Sequence, residues 1–250
     1  MTLEIFEQCL NLRTCTLHIP FVPIDQPNSI PLRGFTMPRL SAFSVRATNF
    51  PAADRTLTDI FNNLTLPSLR SLDIEDCNGD LSIFPALERL FSQSPCRLQK
   101  LSVTDITATA DDLIRLLGFP PVSSLAELVI HDRGRDWRDD GGCMLSDAFL
   151  RAMTPTPGKP ALCPSLAVVK FTQCIDFSDE MLLNFLHSRS RPQERVASLE
   201  FVEIVLDHAI EFDLDAALRQ WAEHGLKVVI RHEYDPWIEV RVSPWEGLTT

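Results

Sequence analysis

The sequence has no apolar run that approaches the roughly 18 residues of a transmembrane helix. Its start, MTLEIFEQCLNL, lacks the basic and apolar regions of a secretory signal peptide. We therefore expect a soluble intracellular protein, cytoplasmic or nuclear, with no membrane partner. The chain has 250 residues, of which 45% are hydrophobic and 23% are charged, as is usual for globular domains.

Positive charge is scarce as well. Lys and Arg number 23 against 34 Asp and Glu, so the formal net charge is −11. A chain this acidic repels a phosphate backbone unless it carries a local basic stripe, and the sequence shows none. We therefore expect no nucleic-acid partner.

The common catalytic and phosphate-binding motifs are missing too: GxGxxG, GxxxxGK[ST], GxSxG and HExxH do not occur. The seven cysteines form no CxxC, and histidines do not join any cysteine pair at zinc spacing. Gly141-Gly142-Cys143 has no nearby helix start or paired histidine to activate the thiol. We expect no enzymatic activity, no catalytic residue, no cofactor and no metal, and cysteines that are reduced and mostly buried.

The sequence does contain a repeat, the frame L-x-x-L-x-I/V. The clearest copies begin at Leu69, Leu98 and Leu125, and looser copies begin at Leu12, Leu40, Leu166, Leu199 and Leu226. The steps between first leucines are 28, 29, 29, 27, 41, 33 and 27 residues. Chance clustering of apolar residues rarely gives such regular spacing.

Each copy of the frame predicts a strand followed by a helix. The L-x-I core alternates with period two, which is typical of a strand with one buried face. A proline that has no N–H to donate precedes several copies, as at Pro38, Pro67 and Pro164. Helical patterns follow the strands: residues 109–118 combine a threonine cap, early acids and a terminal glycine, and similar patterns begin at Thr58, Ser178 and Asp213. The sequence thus predicts one α/β solenoid over residues 1–250, with about seven to eight irregular repeats, parallel strands on the concave face and helices on the convex face.

These frames resemble leucine-rich repeats of the strand-and-helix kind, which form a horseshoe. Leu72-x-Ile74-x-x-Cys77 and Val169-x-Phe171-x-x-Cys174 match the pattern L-x-L-x-x-N/C of that family, whereas Ile106 stands at that position in another copy. The segments LPSLRSLDIEDC, CRLQKLSVTD and CPSLAVVKFTQC, with their irregular repeat lengths, resemble the repeat regions of fungal F-box proteins. That resemblance implies the non-catalytic, substrate-binding region of an adaptor of cullin-RING ubiquitin ligases. The competing interpretation is a stand-alone leucine-rich-repeat scaffold or interaction protein unrelated to ubiquitin.

An F-box is a helical segment that normally precedes such repeats and binds the linker protein of the ligase. Here the repeat already begins at Leu12. We therefore expect either a fragment of a longer protein or a stand-alone repeat protein, with the ligase linker as a partner only if an F-box lies upstream.

The strand register also predicts a partner-binding surface. If Leu72 and Ile74 point into the core, Ser71, Asp73 and Glu75 line the opposite, concave face. The same register makes this face more apolar toward the C-terminus, as expected for a protein-binding site with a polar rim. The predicted contacts to a protein substrate or partner are Val168, Lys170, Phe201, Glu203 and Val205 on the face and Trp137 at its rim.

Two segments leave alternatives open. Residues 232–250 contain Trp237, Trp245 and an alternating I-E-V-R-V, so this tail either caps the solenoid and covers the apolar patch or leaves the patch free for a partner. Residues 131–160 form the long step and predict a loop-rich insertion. Trp137 in that insertion either contacts a partner or packs against the convex side.

Overall fold

The computed structural model describes residues 9–19, 34–47, 51–75, 83–106, 108–131, 143–156, 158–172, 175–191, 194, 196–206, 210, 213–232 and 241–242. These residues form an α/β fold with one mostly parallel sheet. The α/β class that the repeat predicts is therefore confirmed.

The strands of the described residues are short, and most of them coincide with copies of the frame. In chain order they are β1 (Thr14–Ile19), β2 (Phe35–Thr36), β3 (Ala42–Ala47), β4 (Leu64–Thr65), β5 (Ser71–Glu75), β6 (Lys100–Thr104), β7 (Glu127–His131), β8 (Leu145–Ser146), β9 (Val168–Thr172), β10 (Ile175–Asp176), β11 (Phe201–Leu206), β12 (Lys227–His232) and β13 (Arg241–Val242).

The main sheet follows the order of the chain. Its strand order is β1-β3-β5-β6-β7-β9-β11-β12-β13, with the first eight parallel and β13 antiparallel at the edge. Equivalent residues of successive frames pair directly, so that Leu72 pairs with Phe43 on one side and with Leu101 on the other. The register predicted from the repeat is confirmed for the first seven copies of the frame. Two minor parallel pairs, β2 with β4 and β8 with β10, lie outside this sheet.

Six helices connect the strands in the described part of the chain. They are α1 (Pro51–Asn63), α2 (Phe84–Gln93), α3 (Ala110–Leu117), α4 (Asp147–Met153), α5 (Asp179–Arg189) and α6 (Leu214–Glu223). The predicted caps begin three of them: the side chain of Thr109 accepts from the N–H of Asp112, Ser178 from Met181 and Asp213 from Ala216.

The core lies between one face of the sheet and the helices. In β5, β6, β7 and β9 every second residue is buried, and these residues belong to one apolar cluster with the buried sides of the helices. We call the face opposite the helices the outer face; its residues, at the alternate positions of the strands, are partly buried or exposed, except Val229, which is buried. Because side chains of a strand alternate between its faces, the frame fixes which residues reach the outer face.

The prolines lie where the sequence predicts, in turns that lead into strands. Pro38, Pro67 and Pro164 each occupy the second position of a turn, closed by a backbone bond such as Leu69 N–H to Leu66 O at 3.2 Å. This position suits the fixed φ of proline and does not use its missing N–H.

The final copy of the frame is wrong by one residue. The sequence places Leu226, Val229 and Arg231 at its apolar positions, but Val228 and Ile230 pair with Val202 and Ile204 and are buried. The physical reason is the end of α6, where Gly225 adopts a positive φ of 81° and makes the turn into β12 one residue shorter. Arg231 therefore belongs to the outer face.

The range 131–160 is not loop throughout, since it contains β8 and α4. The helix α4 stands where the other repeats have their helix and buries Phe149, Leu150 and Met153 in the common core. Residues 132–142, including Trp137, lie outside the described residues.

Arg189, the last residue of α5, anchors this longer repeat from within the core. It is fully buried, and its Nε and Nη2 donate to the carbonyl of Met153 at 3.2 and 2.9 Å. The same guanidinium donates to the carbonyl of Leu162 at 2.6 Å and to that of Cys163 at 3.1 Å. Met153 ends α4, and the other two residues precede β9, so one side chain fixes both ends of the connecting segment.

Burial perturbs the acid–base behaviour of this cluster. Loss of water around the guanidinium lowers the pKa of Arg189 to about 10, an effect that the nearby Cys163 opposes. Burial likewise raises the pKa of Cys163 to about 12. A thiol with such a pKa stays protonated near neutral pH and behaves as a small apolar group.

Candidate protein-binding face

The outer face consists of three rows of side chains that cross the sheet. Each row takes one residue from each of eight parallel strands, because the strands are in register. The rows are Thr14, Ala42, Ser71, Lys100, Glu127, Val168, Phe201 and Lys227; Thr16, Ser44, Asp73, Ser102, Val129, Lys170, Glu203 and Val229; and His18, Arg46, Glu75, Thr104, His131, Thr172, Val205 and Arg231.

Charges on this face pair with one another across neighbouring strands. The distance from Arg46 Nε to Glu75 Oε2 is 2.5 Å, and that from Lys100 Nζ to Glu127 Oε1 is 2.8 Å. Glu203 pairs on both sides, with Lys170 at 3.8 Å and with Arg231 at 3.2 Å. Each pair is at least partly exposed to solvent, so these pairs contribute little to stability.

The described outer face is nearly neutral although the chain has a net charge of −11. Its cations are Arg46, Lys100, Lys170, Lys227 and Arg231, and its carboxylates are Asp73, Glu75, Glu127 and Glu203. The surplus of acidic residues therefore lies elsewhere in the sequence. A neutral face recognises a partner by shape and by local pairs rather than by long-range attraction.

A shallow depression of about 300 Å³ lies in the N-terminal half of the outer face. It arises where the small residues of β3, β5 and β6 leave the sheet uncovered between longer side chains. Among the described residues that line it, Asp73 supplies the carboxylate, and its Oδ2 accepts a hydrogen bond from Ser44 Oγ at 3.1 Å. The residues around the depression are Ala42, Phe43, Ser44, Ser71, Asp73, Lys100 and Ser102.

All five predicted contact residues of the C-terminal half lie on the outer face and are half-buried. Val168 and Phe201 are direct partners on β9 and β11. Two ammonium groups flank the Phe201 ring, with Lys170 Nζ 5.5 Å and Lys227 Nζ 5.9 Å from its centroid.

The predicted apolar patch is therefore divided by charges. Glu203 lies between Phe201 and Val205 along β11, and Val129 pairs with Lys170 across the strands. The structure brings Val168 and Phe201 together, but it does not join them to Val129 or Val205.

The C-terminal tail adds a strand beside the sheet. Arg241 of β13 pairs antiparallel with Ile230 of β12, and Val242 pairs with Val229. The tail residues predicted to cover Phe201 are 233–240 and 243–250, which lie outside the described residues. Trp137 belongs to residues 132–142, which also lie outside them.

Sequence reasoning missed Lys227 and Arg231 as members of this face. The error follows from the misplaced final frame, which assigned Arg231 to a core position. A signal was present in KVVIRH, which begins two residues after Gly225: Val228 and Ile230 alternate with Lys227, Val229 and Arg231, so both basic residues fall on one face of the strand together with the apolar Val229.

Cysteines and acidic groups form no further site in the described part of the chain. There the cysteines are free thiols, with Cys96 and Cys163 buried and Cys9, Cys15 and Cys143 half-buried. Burial also raises the pKa of Cys15 and of Cys96. The described residues contain no group of three or more His, Cys, Asp or Glu side chains placed to hold a metal ion.

No helix in the described part of the chain has the length and apolar character needed to cross a membrane. Comparisons with protein-family models, with curated proteins and with solved structures find no match to this chain.

Proposed function

We propose that this chain is a leucine-rich-repeat-like solenoid that binds a protein on its outer face, as the substrate-binding region of an F-box-type adaptor of cullin-RING ubiquitin ligases. One observation supports it above all: eight parallel strands, in chain order and in one register, place three rows of side chains on the face opposite the helices. A small-molecule site normally encloses its ligand, whereas an extended face suits a protein segment.

The C-terminal half of the face offers the best anchor. Phe201 presents a half-buried ring with the ammonium groups of Lys170 and Lys227 beside it, and Lys170 also lies 3.8 Å from a carboxylate oxygen of Glu203. Aromatic residues commonly supply much of the energy of a protein interface. A protein bound at this half of the outer face would pack an apolar side chain on the ring of Phe201. It would also place a carboxylate near the ammonium groups of Lys170 and Lys227.

A site-specific crosslinking experiment tests whether the outer face is used. A photo-crosslinking side chain is placed at Ser102 on the outer face and, as a control, at the exposed Arg151 on α4. We expect the outer-face position to capture a defined protein in living cells and the helix position not to capture it. Capture from the helix position alone would contradict the proposal.

The adaptor and the stand-alone scaffold differ in what happens to the captured protein. An adaptor shortens the lifetime of its substrate, so deletion of the chain should lengthen that lifetime, and the linker protein of the ligase should copurify with the natural full-length product. A scaffold leaves the lifetime of its partner unchanged, which would contradict the ubiquitin part of the proposal.

The substitution Phe201→Asp distinguishes a covered ring from an open one. If the tail packs on Phe201, the carboxylate is buried and the variant unfolds at lower urea concentration. If the ring is open to a partner, the variant stays folded and loses the crosslinked protein. Thr104→Asp, on the same face in β6, is the matched control for the added charge.

A further inference from the structure

Four exposed arginines lie along the edge of the sheet where strands β1, β3, β5 and β6 begin. Arg13 and Arg70 directly precede β1 and β5, and Arg39 and Arg97 precede β3 and β6 by three residues. Backbone bonds join these connections, from Ser41 N–H to Arg13 O at 2.8 Å, from Arg70 N–H to Ser41 O at 2.8 Å and from Gln99 N–H to Arg70 O at 2.7 Å. The arginines thus cross four neighbouring strands, a width of about 14 Å. We call these four residues the arginine row.

The guanidinium groups of the arginine row are unpaired within the described residues, since none makes an ion pair or a side-chain hydrogen bond there. The outer face behaves differently: Arg46, Lys100, Lys170 and Arg231 each pair with a carboxylate. The row also has no acidic residue beside it in the chain, because residues 9–13, 34–41, 64–70 and 94–99 contain no Asp or Glu.

The helix dipole does not account for this arrangement. The carboxyl ends of helices attract cations because their carbonyl groups are partly negative. However, the last turns of α1 and α2 contain no basic residue. The row belongs instead to the starts of the strands, and in the described residues its side chains donate to no helix carbonyl.

We propose that the arginine row binds an acidic, carboxylate-rich peptide segment of a partner protein. Arginine suits this role because its planar fork binds both oxygens of a carboxylate. A width of about 14 Å corresponds to about four residues of extended peptide. A duplex nucleic acid would extend beyond the row and meet a chain whose net charge is −11, so the short acidic peptide fits better. This edge is distinct from the outer face, so its test does not depend on that of the proposed function.

Fluorescence polarisation with a labelled peptide of eight glutamates tests the proposal. The row variant carries Arg39→Gln, Arg70→Gln and Arg97→Gln. The control carries Arg89→Gln, Arg151→Gln and Arg219→Gln, three exposed arginines on helices, so that both variants lose three positive charges. Urea unfolding of both variants checks that the substitutions leave the fold intact.

We expect the row variant to bind the peptide at least about tenfold more weakly than the natural chain, and the control to stay within about twofold. Added salt should weaken the binding by the natural chain, and a peptide of eight glutamines should not bind. Equal losses in both variants, or no saturable binding below about 1 mM peptide, would overturn the proposal. Tighter binding of a duplex of about 20 base pairs, lost in the row variant, would also overturn it by assigning the row to nucleic acid.

Discussion

Replacement of Arg189 by methionine should destabilise the fold by about 3 kcal/mol. The change keeps an unbranched apolar stem but removes the guanidinium and, with it, the four hydrogen bonds to the carbonyls of Met153, Leu162 and Cys163. Hydrogen bonds from a charged group to a buried acceptor contribute about 1.5 kcal/mol each at the lower end, or about 6 kcal/mol together.

Burial of the charge offsets part of that sum. The pKa of the guanidinium falls from its ordinary 12.5 to about 10. Because each pKa unit corresponds to about 1.4 kcal/mol, keeping the charge inside costs about 3 kcal/mol, which the substitution recovers. The difference, about 3 kcal/mol, is the expected loss.

Urea unfolding followed by circular dichroism measures this loss, and Arg151→Met, on the exposed side of α4, is the control. We expect the control to unfold within about 0.5 kcal/mol of the natural chain. A fully stable Arg189→Met variant would refute the reasoning, because it would mean that the freed carbonyls find other donors at no cost.

The lowered pKa also predicts a pH dependence with a definite sign. Between pH 10 and 12.5 the unfolded chain keeps the proton on Arg189 while the folded chain releases it. Unfolding then takes up a proton, so rising pH stabilises the folded state. The stability of the natural chain relative to Arg189→Met should therefore increase between pH 9 and pH 11, and a constant difference would contradict the assigned pKa.

Three further predictions concern single side chains. Thr109→Ala removes the cap of α3 and should cost about 1 kcal/mol in urea unfolding, while Thr104→Ala on the outer face should cost less than about 0.5 kcal/mol. Trp221→Phe should leave stability within about 1 kcal/mol, because the buried indole Nε1 has no hydrogen-bond partner among the described residues; a loss above about 2 kcal/mol would contradict this. Cys163 should be alkylated by iodoacetamide more slowly than Cys9 or Cys15 at pH 8, because burial raises its pKa to about 12. Mass spectrometry measures the rates, and equal rates would show that the Cys163 thiol is accessible to solvent.

The strand register could be predicted from the sequence because it follows from local spacing. A strand with one buried face has only one alternation that places Leu72 and Ile74 inside, and the same frame recurs in the next repeat. The register prediction failed for the last strand, where the spacing changes at Gly225. A glycine with positive φ shortens the turn there, and the apolar positions of the frame give no indication of that shortening.

The arginine row could not be predicted in this way. Its members are separated by 26, 31 and 27 residues, so the sequence shows isolated arginines and no basic stripe. Only the parallel pairing of β1, β3, β5 and β6 brings them to one edge. The one signal in the sequence is that the separations between these arginines are close to the length of one repeat.

Arg189 shows a second limit of sequence reasoning. A basic residue in the last turn of a helix normally faces water and favours the helix dipole. Here the carbonyls that receive its hydrogen bonds lie 26 to 36 residues earlier in the chain. Their convergence depends on the path of the insertion, which the repeat pattern does not encode.

The sheet order has a consequence for how the molecule unfolds. The strands of the main sheet follow one another in chain order, and the helices α1 to α5 contact one another in sequence. Interior repeats are then held by two neighbours, whereas β1 has one strand neighbour in the described sheet. Stability in such an array is a sum of local interface terms, so opening starts at an end and spreads inward. Amide protons of β6 and β7 should exchange with solvent last, and a partner bound along the starts of β1, β3, β5 and β6 would slow the opening that begins at β1.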